Sequence, residues 1–204
     1  MATTPEHRAG GRGGRPAQLT RDDIVAAAVR VIDTDGLEAL TMRRLGAELG
    51  VAAMSIYRHL SNRDAVLAAV VNHLAVDAVT DLEPGDSWSE ALARFGTVYR
   101  RMLLAHPRAV PLLATHPMDI DTGLRLMGAV LDRFAAAGLS QNEALTAVQS
   151  VAVFVLGHAL AQVGTPPGTP AAPPETPEVA EYYEHWFEVG LTAMVSGFAA
   201  RHQR

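Results

Sequence analysis

Apolar residues recur along most of this chain every three to four positions, the spacing that gathers side chains on one face of an α-helix. Ile24, Ala28, Val31 and Ile32 make the first such stripe. Thr20 with Asp23 three residues later fits a capping box and Gly36 supplies a left-handed stop, so a helix is predicted over 20–35. A short helix over 41–49 is opened by Thr41 and turns Leu45 and Leu49 inward before Gly50. A third, over 52–59, has Ile56 as its inward residue, with Leu60 just beyond. Ser61 and Asn62 then cap a long helix over 63–82 built on Val66, Leu67, Val70, Val71 and Leu74.

The run EPGDS at 83–87 breaks the pattern with turn-forming residues. Helices are predicted after it over 88–105, 119–137 and 140–163, the last opened by Ser140 and Glu143 as a second capping box, with a short one over 108–114. Residues 164–177 hold six prolines and are expected to form a loop. The final helix, over 178–201, carries Tyr182, Tyr183, Trp186, Phe187, Leu191, Met194, Val195 and Phe198. No alternating strand pattern and no internal repeat is visible. The expectation is an all-α fold in three parts: a flexible basic arm over 1–18, a helix-turn-helix head over 19–64, and a helical body over 65–204.

Composition changes this picture in two places. With 49% hydrophobic and 19% charged residues the chain has enough apolar side chain for a sizeable core, and the lack of cysteine excludes thiol chemistry and the usual zinc sets. The net charge of −5 is unevenly placed: residues 1–63 hold nine Arg against seven acids, residues 64–204 eight against fifteen. A mildly basic head thus precedes an acidic body. Every one of the 17 basic residues is Arg, which suits phosphate recognition and equally follows from a GC-rich genome. No apolar stretch is read as long enough to cross a bilayer, and Met1 to Gly14 contain no apolar signal core, so the default expectation is a cytoplasmic protein without a membrane partner.

The helices over 20–35, 41–49 and 52–59, with a tight turn at Gly50, have the lengths of a helix-turn-helix whose second helix enters the major groove. Assigning Ile56 and Leu60 to the core leaves Ala53, Met54, Ser55, Tyr57 and Arg58 facing outward, a set suited to thymine methyls and base edges. Thr41, Arg43, Tyr57, His59 and Arg63 flank it as candidate phosphate contacts, and Met42 lies on the same surface. Arg8, Arg12 and Arg15 give the arm a means to add phosphate contacts from a neighbouring minor groove.

The segment Leu40 to Leu67, LTMRRLGAELGVAAMSIYRHLSNRDAVL, resembles the signature of the TetR family in its second helix, Gly-Val turn, Tyr57-x-His59 pair and following basic residue. The resemblance implies that Arg43, Ala53, Met54 and Tyr57 face bases, and that Thr41, His59 and Arg63 face phosphates. Trp88 to Gln162 is similar to the ligand domains of the tetracycline-repressor branch, through SWSEAL, LLAHP, Thr115-His116-Pro117, AAGLSQNEAL and FVLGHAL. That likeness implies nine or ten helices, a homodimer joined by a four-helix bundle of the last two long helices, and a ligand-released repressor bound to double-stranded operator DNA. Leu112 or Leu113 stands where the family holds a drug-bound magnesium, so a small apolar effector is expected rather than tetracycline, with no cofactor and no metal.

Other readings stay open at this level. His106, His116 and His158 fit capping, core or pocket roles, or a metal site. Met102, Met118 and Met127 with Phe95, Tyr99, Phe134 and Phe154 fit an ordinary core. They also suit the wall of a cavity with Tyr99, Thr115 or His158 as polar points, and Leu113 and Leu131 join that candidate lining. Gly157, Ala159, Ala161, Gly190, Ala193 and Gly197 permit close helix approach within one subunit or between two. An enzyme using His158 or His106 as general base, or a lipid-binding protein without DNA affinity, is the competing class. No carboxylate pair, nucleophile elbow or phosphate loop supports an enzyme.

Overall fold

The computed structural model describes residues 19–80, 82–83, 85–116, 118–164 and 176–202, and the predicted arm over 1–18 and most of the proline-rich segment lie outside them. Among the described residues there are ten α-helices and no strand. The first three form the head: α1 (Arg21–Asp35), α2 (Met42–Leu49) and α3 (Ala53–Tyr57). Thr20 accepts from the Asp23 amide while the Asp23 carboxylate accepts from Thr20, the reciprocal cap expected there. Gly36 and Gly50 both adopt positive φ, at 91° and 65°, as the stop signals require. Ile24, Ala28, Val31 and Ile32 meet Leu45, Ile56 and Leu60 in an aliphatic centre. Each such side chain removed from water contributes about 1.5–3 kcal/mol, enough to order three short helices that are unstable alone.

α4 (Arg63–Thr80) leaves the head and packs on α1 at one end and on α5 (Trp88–Ala105) along its length. Asn62 caps it by accepting from the Ala65 amide at 2.8 Å. After α5, a 3-10 turn at Pro107–Ala109 leads into α6 (Val110–Thr115). The helix predicted over 119–137 is two helices, α7 (Ile120–Leu126) and α8 (Gly128–Ala136). Asp119 caps the first, and Met127 between them turns its side chain into the core at 9% exposure. Three apolar residues anchor α8's inner face: Met127, Val130 and Phe134. Burying them requires a different axis from that of α7, which is the physical reason for the break.

α9 (Gln141–Val163) and α10 (Pro177–His202) complete the body, α9 packing on α5, α8 and α10. By length and composition α9 is apolar enough to cross a membrane, which corrects the sequence reading that no such stretch exists. Its inner face holds Ala144, Ala147, Val151, Val155 and Ala159 in the core, while Val153, Gly157 and Ala161 face outward. The helix is therefore apolar on two sides rather than one.

Candidate DNA-binding head and effector body

On α2, two adjacent arginines have different roles. Arg44 is held by Asp35 and by Glu48, both at 2.9 Å, and its bond to Glu48, aided by one from Arg30, holds the Glu48 carboxyl below its usual range. Arg43 is exposed and has no ion pair among the described residues. Thr41 uses its hydroxyl oxygen to accept from the Arg44 amide at 3.0 Å, which seats the N-terminus of α2 and leaves the exposed hydroxyl hydrogen to donate outward. Met42 is half-buried against the core.

On α3 the single fully buried residue is Ile56. Met54 is 73% exposed and Tyr57 43%, Arg58 and His59 lie open beside them, and Ala53 and Ser55 are partly covered. Arg43, Met54, Tyr57, Arg58 and His59 are thus all available to a partner. Gly46 was not recognised in the sequence, yet it permits this geometry. A Cβ there would stand 2.8 Å from the Val51 carbonyl oxygen and 3.3 Å from the Ala53 amide, so the close approach of α2 to the turn requires glycine. The Val51 amide donates to the Gly46 carbonyl at 2.9 Å across that contact.

Arg63 is bonded within the head. Its Nε donates to the Leu40 carbonyl at 2.7 Å and its Nη2 to the Leu37 carbonyl at 3.0 Å. The Leu37 carbonyl also accepts the Leu40 amide that closes the 3-10 turn at Leu37–Ala39, at 3.2 Å, and the Leu40 carbonyl follows directly after that turn. The guanidinium therefore fastens the start of α4 to the α1–α2 connection, a structural role beside the phosphate contact expected of it.

Below the head, α1 also touches the body directly. His106 Nδ1 lies 2.8 Å from Asp33 Oδ2, and Arg108 donates to the Thr34 carbonyl. Asp33 Oδ1 is buried without a partner. Head and body are thus joined both by α4 and by this polar contact.

The predicted effector residues are only partly gathered. Phe154 and His158, one turn apart on α9, share a cluster with Phe187 of α10: the His158 ring lies 6.0 Å from Phe154 and 5.6 Å from Phe187. Tyr99 is instead stacked on Phe95 at 5.9 Å, and burial pushes its phenol up to about 12. Met102 and Met127 are buried in the core, and Leu113 packs partly against it. Thr115 is exposed, and its hydroxyl donates back to the Pro111 carbonyl at 2.9 Å, as helical threonines do. Leu131 lines a separate cleft of about 240 Å³ with Asp132, Ala135, Leu139, Gln141 and Ala144. A second groove of about 420 Å³ runs along α5 past Arg94, Thr97 and Arg101 and includes none of the predicted residues.

Arg100 was missed. It is 8% exposed, its Nη1 bonds Glu184 Oε2 at 2.6 Å, and its guanidinium lies 4.7 Å from the Phe187 ring centre. The signal was present: position 100 falls on the buried face that Gly96 and Leu103 define at helical spacing, where a charge is unusual. Burial, and then the Arg100 charge, lower the pKa of His158.

Residues 24–70 match the pattern of "Bacterial regulatory proteins, tetR family", and residues 81–182 that of "Tetracyclin repressor-like, C-terminal domain". The chain is 30% identical to the tetracycline repressor protein class D of Escherichia coli over 203 residues, covering 89% of this chain and 90% of that one. The chain belongs to the TetR family. An HTH-type transcriptional regulator of Saccharopolyspora erythraea is 35% identical over 144 residues, an alignment spanning 71% of this chain and 61% of the regulator. Among solved structures, ActR of Streptomyces coelicolor in complex with actinorhodin superposes with a TM-score of 0.72 at 26% identity, covering 90% of this chain and 97% of ActR. The first of these matched patterns covers most of α1, all of α2 and α3 and the start of α4, and the second runs from just after the end of α4 into α10.

Proposed function

We propose that this TetR-family protein is a homodimeric repressor that binds a palindromic operator through α2 and α3 and releases it when a largely apolar effector enters the body. The observation that carries this reading is the surface of the head. Ile56 and Leu60 lie in the core while Arg43, Met54, Tyr57, Arg58 and His59 stand exposed on one short unit, a combination with no purpose in packing. Bidentate arginine, aromatic and apolar groups presented together by α2 and α3 are the means of direct base readout. The division at 64/65 is functional rather than covalent, since α4 crosses it.

The dimer reading rests on a second surface. Val153, Gly157 and Ala161 form an outward row on α9, and Tyr182, Trp186, Val189, Ala193, Ser196 and Ala200 repeat on α10 at alternating steps of four and three. Val153 is 64% exposed, Tyr182 63% and Val189 54%, an apolar stripe suited to a partner helix pair. Ala159 and Gly190 do not belong to it: the first is buried and the second receives the Phe154 ring. Two-fold symmetry presents two recognition helices about 34–36 Å apart, one per half-site.

Effector entry acts through α4 and the His106–Asp33 contact, both of which bridge body and head. The test is a cross-titration. Effector affinity measured with and without saturating operator should change by the same factor as operator affinity with and without effector. Equal effector affinities in the two states exclude the coupling; absence of salt-dependent binding to duplex DNA excludes the regulator itself.

A further inference from the structure

Among the described residues, two buried polar atoms of the body have no partner: Arg100 Nε, a donor, and His158 Nδ1. The state of the imidazole follows from its other nitrogen. Nε2 lies 3.0 Å from the Tyr183 carbonyl oxygen, which only accepts, so Nε2 carries the hydrogen and Nδ1 presents a bare lone pair. One neighbouring residue thus offers an unused charged donor and the other an unused acceptor, and both rings of the α9–α10 pair, Phe154 and Phe187, stand over them. Native proteins rarely leave such atoms unpaired, because each forfeits its hydration without return.

The existing counter-charge is removable. Arg100 is 10% exposed at its side chain but its partner Glu184 is 53% exposed, so the carboxylate can rotate into solvent at little cost and admit another anion to the guanidinium. The side-on edge of Arg100, Nε with Nη2, then faces a bidentate carboxylate: Nε is unpartnered among the described residues, Nη2 holds only a 3.3 Å bond to Gln162 Oε1 that the incoming anion displaces, and Glu184 does not use this edge since its contact is through Nη1 alone. A hydroxyl adjacent to that carboxylate would meet His158 Nδ1, and a flat ring behind both would lie against Phe154 and Phe187.

We propose that Arg100 and His158 form the polar end of the effector site, and that its ligand is a planar aromatic hydroxy-acid whose carboxylate pairs with Arg100 in place of Glu184 while its hydroxyl donates to His158 Nδ1. This deepens the repressor reading and rests on it for the word effector, though binding itself is independent of DNA. It also sharpens "largely apolar" to an apolar ring with one acidic edge.

The experiment is calorimetric titration of the full-length protein with 1-hydroxy-2-naphthoate, its methyl ester, and 2-naphthoate, which lacks the hydroxyl. The hydroxy-acid should bind at least tenfold tighter than the ester. Arg100→Gln should erase that difference, and His158→Phe should reduce the hydroxy-acid to the affinity of 2-naphthoate while leaving 2-naphthoate unchanged. Arg100→Lys, which keeps charge but loses the fork, should fall between wild type and Arg100→Gln, and circular dichroism checks that each variant is folded. Should Arg100→Gln not fold, the Lys variant and the ester comparison in wild type decide the matter alone. No saturable binding of the hydroxy-acid, or an unchanged acid-to-ester ratio in folded variants, overturns the proposal. Acid binding without operator binding leaves this site standing and removes the regulator, whereas operator binding without acid binding does the reverse.

Discussion

The interiors of head and body are built on different terms. In the head, Ile24, Val31, Ile32, Leu45 and Ile56 meet without a buried charge, and its ionic groups, Arg44 with Asp35 and Glu48, sit at the surface. In the body, Arg100 and His158 are drawn in among Phe154 and Phe187 with hydrogen-bonding capacity left over. An aliphatic centre has one good packing and no polar alternative, so the head is a rigid platform for groups that read DNA. A centre containing a charge whose partner is half in solvent has more than one satisfied arrangement, and only such a region can respond to a small molecule.

That contrast can be broken most severely at the reading surface. Arg43→Ala together with Tyr57→Ala should lower specific operator affinity by a hundredfold or more, since each base contact contributes about 1–3 kcal/mol and the proposed dimer makes it twice. Stability and small-molecule binding should be unchanged, and retained affinity in a gel-shift assay with a normal circular dichroism spectrum would refute the assignment. Next in size is Gly46→Leu, which forces side chain against the Val51 carbonyl and should destabilise the head by about 1–3 kcal/mol. Thermal unfolding that is unaltered would show the α2 turn to be loosely packed, contrary to the rigid-platform view.

His106→Ala tests the join between the two regions. It removes one hydrogen bond, worth about 0.5–1.5 kcal/mol, but strands Asp33 with both oxygens unpaired. The coupling factor from the cross-titration should shrink while operator affinity without effector stays near wild type; an unchanged factor assigns the coupling to α4 alone.

The smallest effect concerns pH. Burial lowers the pKa of His158 below its usual 6.5, so the native state favours the neutral ring. The unfolded chain then binds more protons in this range, and stability must fall as pH drops through 6.5 toward the folded value, being fully present above it. His158→Phe should flatten that acid slope in urea titrations between pH 7 and about 5. An identical slope in the variant would show that the ring is solvated in solution.

Much of the head was legible in the order of residues because its determinants are local. Thr20 with Asp23, Thr41, Gly36 and Gly50 each act within one helical turn, and the exposure of Met54 and Tyr57 follows once Ile56 is placed inside. The clamp that Arg63 forms was not legible in this way, because its partners, the carbonyls of Leu37 and Leu40, lie 26 and 23 residues away. The effector lining was legible only as a list of suitable side chains. Thr115 bonds within its own helix, Leu131 lines another cleft, and Arg100, whose place on a buried face was readable, could not be matched to Glu184 because that partner is 84 residues distant.

What the amino-acid order determined by itself is therefore the set of helices, their caps and stops, and the residues that α3 presents outward, since each depends on interactions within a few positions along the chain. The tertiary structure alone decided that the segment 119–137 divides at Met127, that Arg63 is a clamp, and that Arg100 and His158 meet beneath Phe187. Those outcomes depend on which carbonyls, rings and carboxylates helices far apart in sequence bring together. No periodicity encodes that, because a side chain's chemistry is set by the neighbour it finally meets.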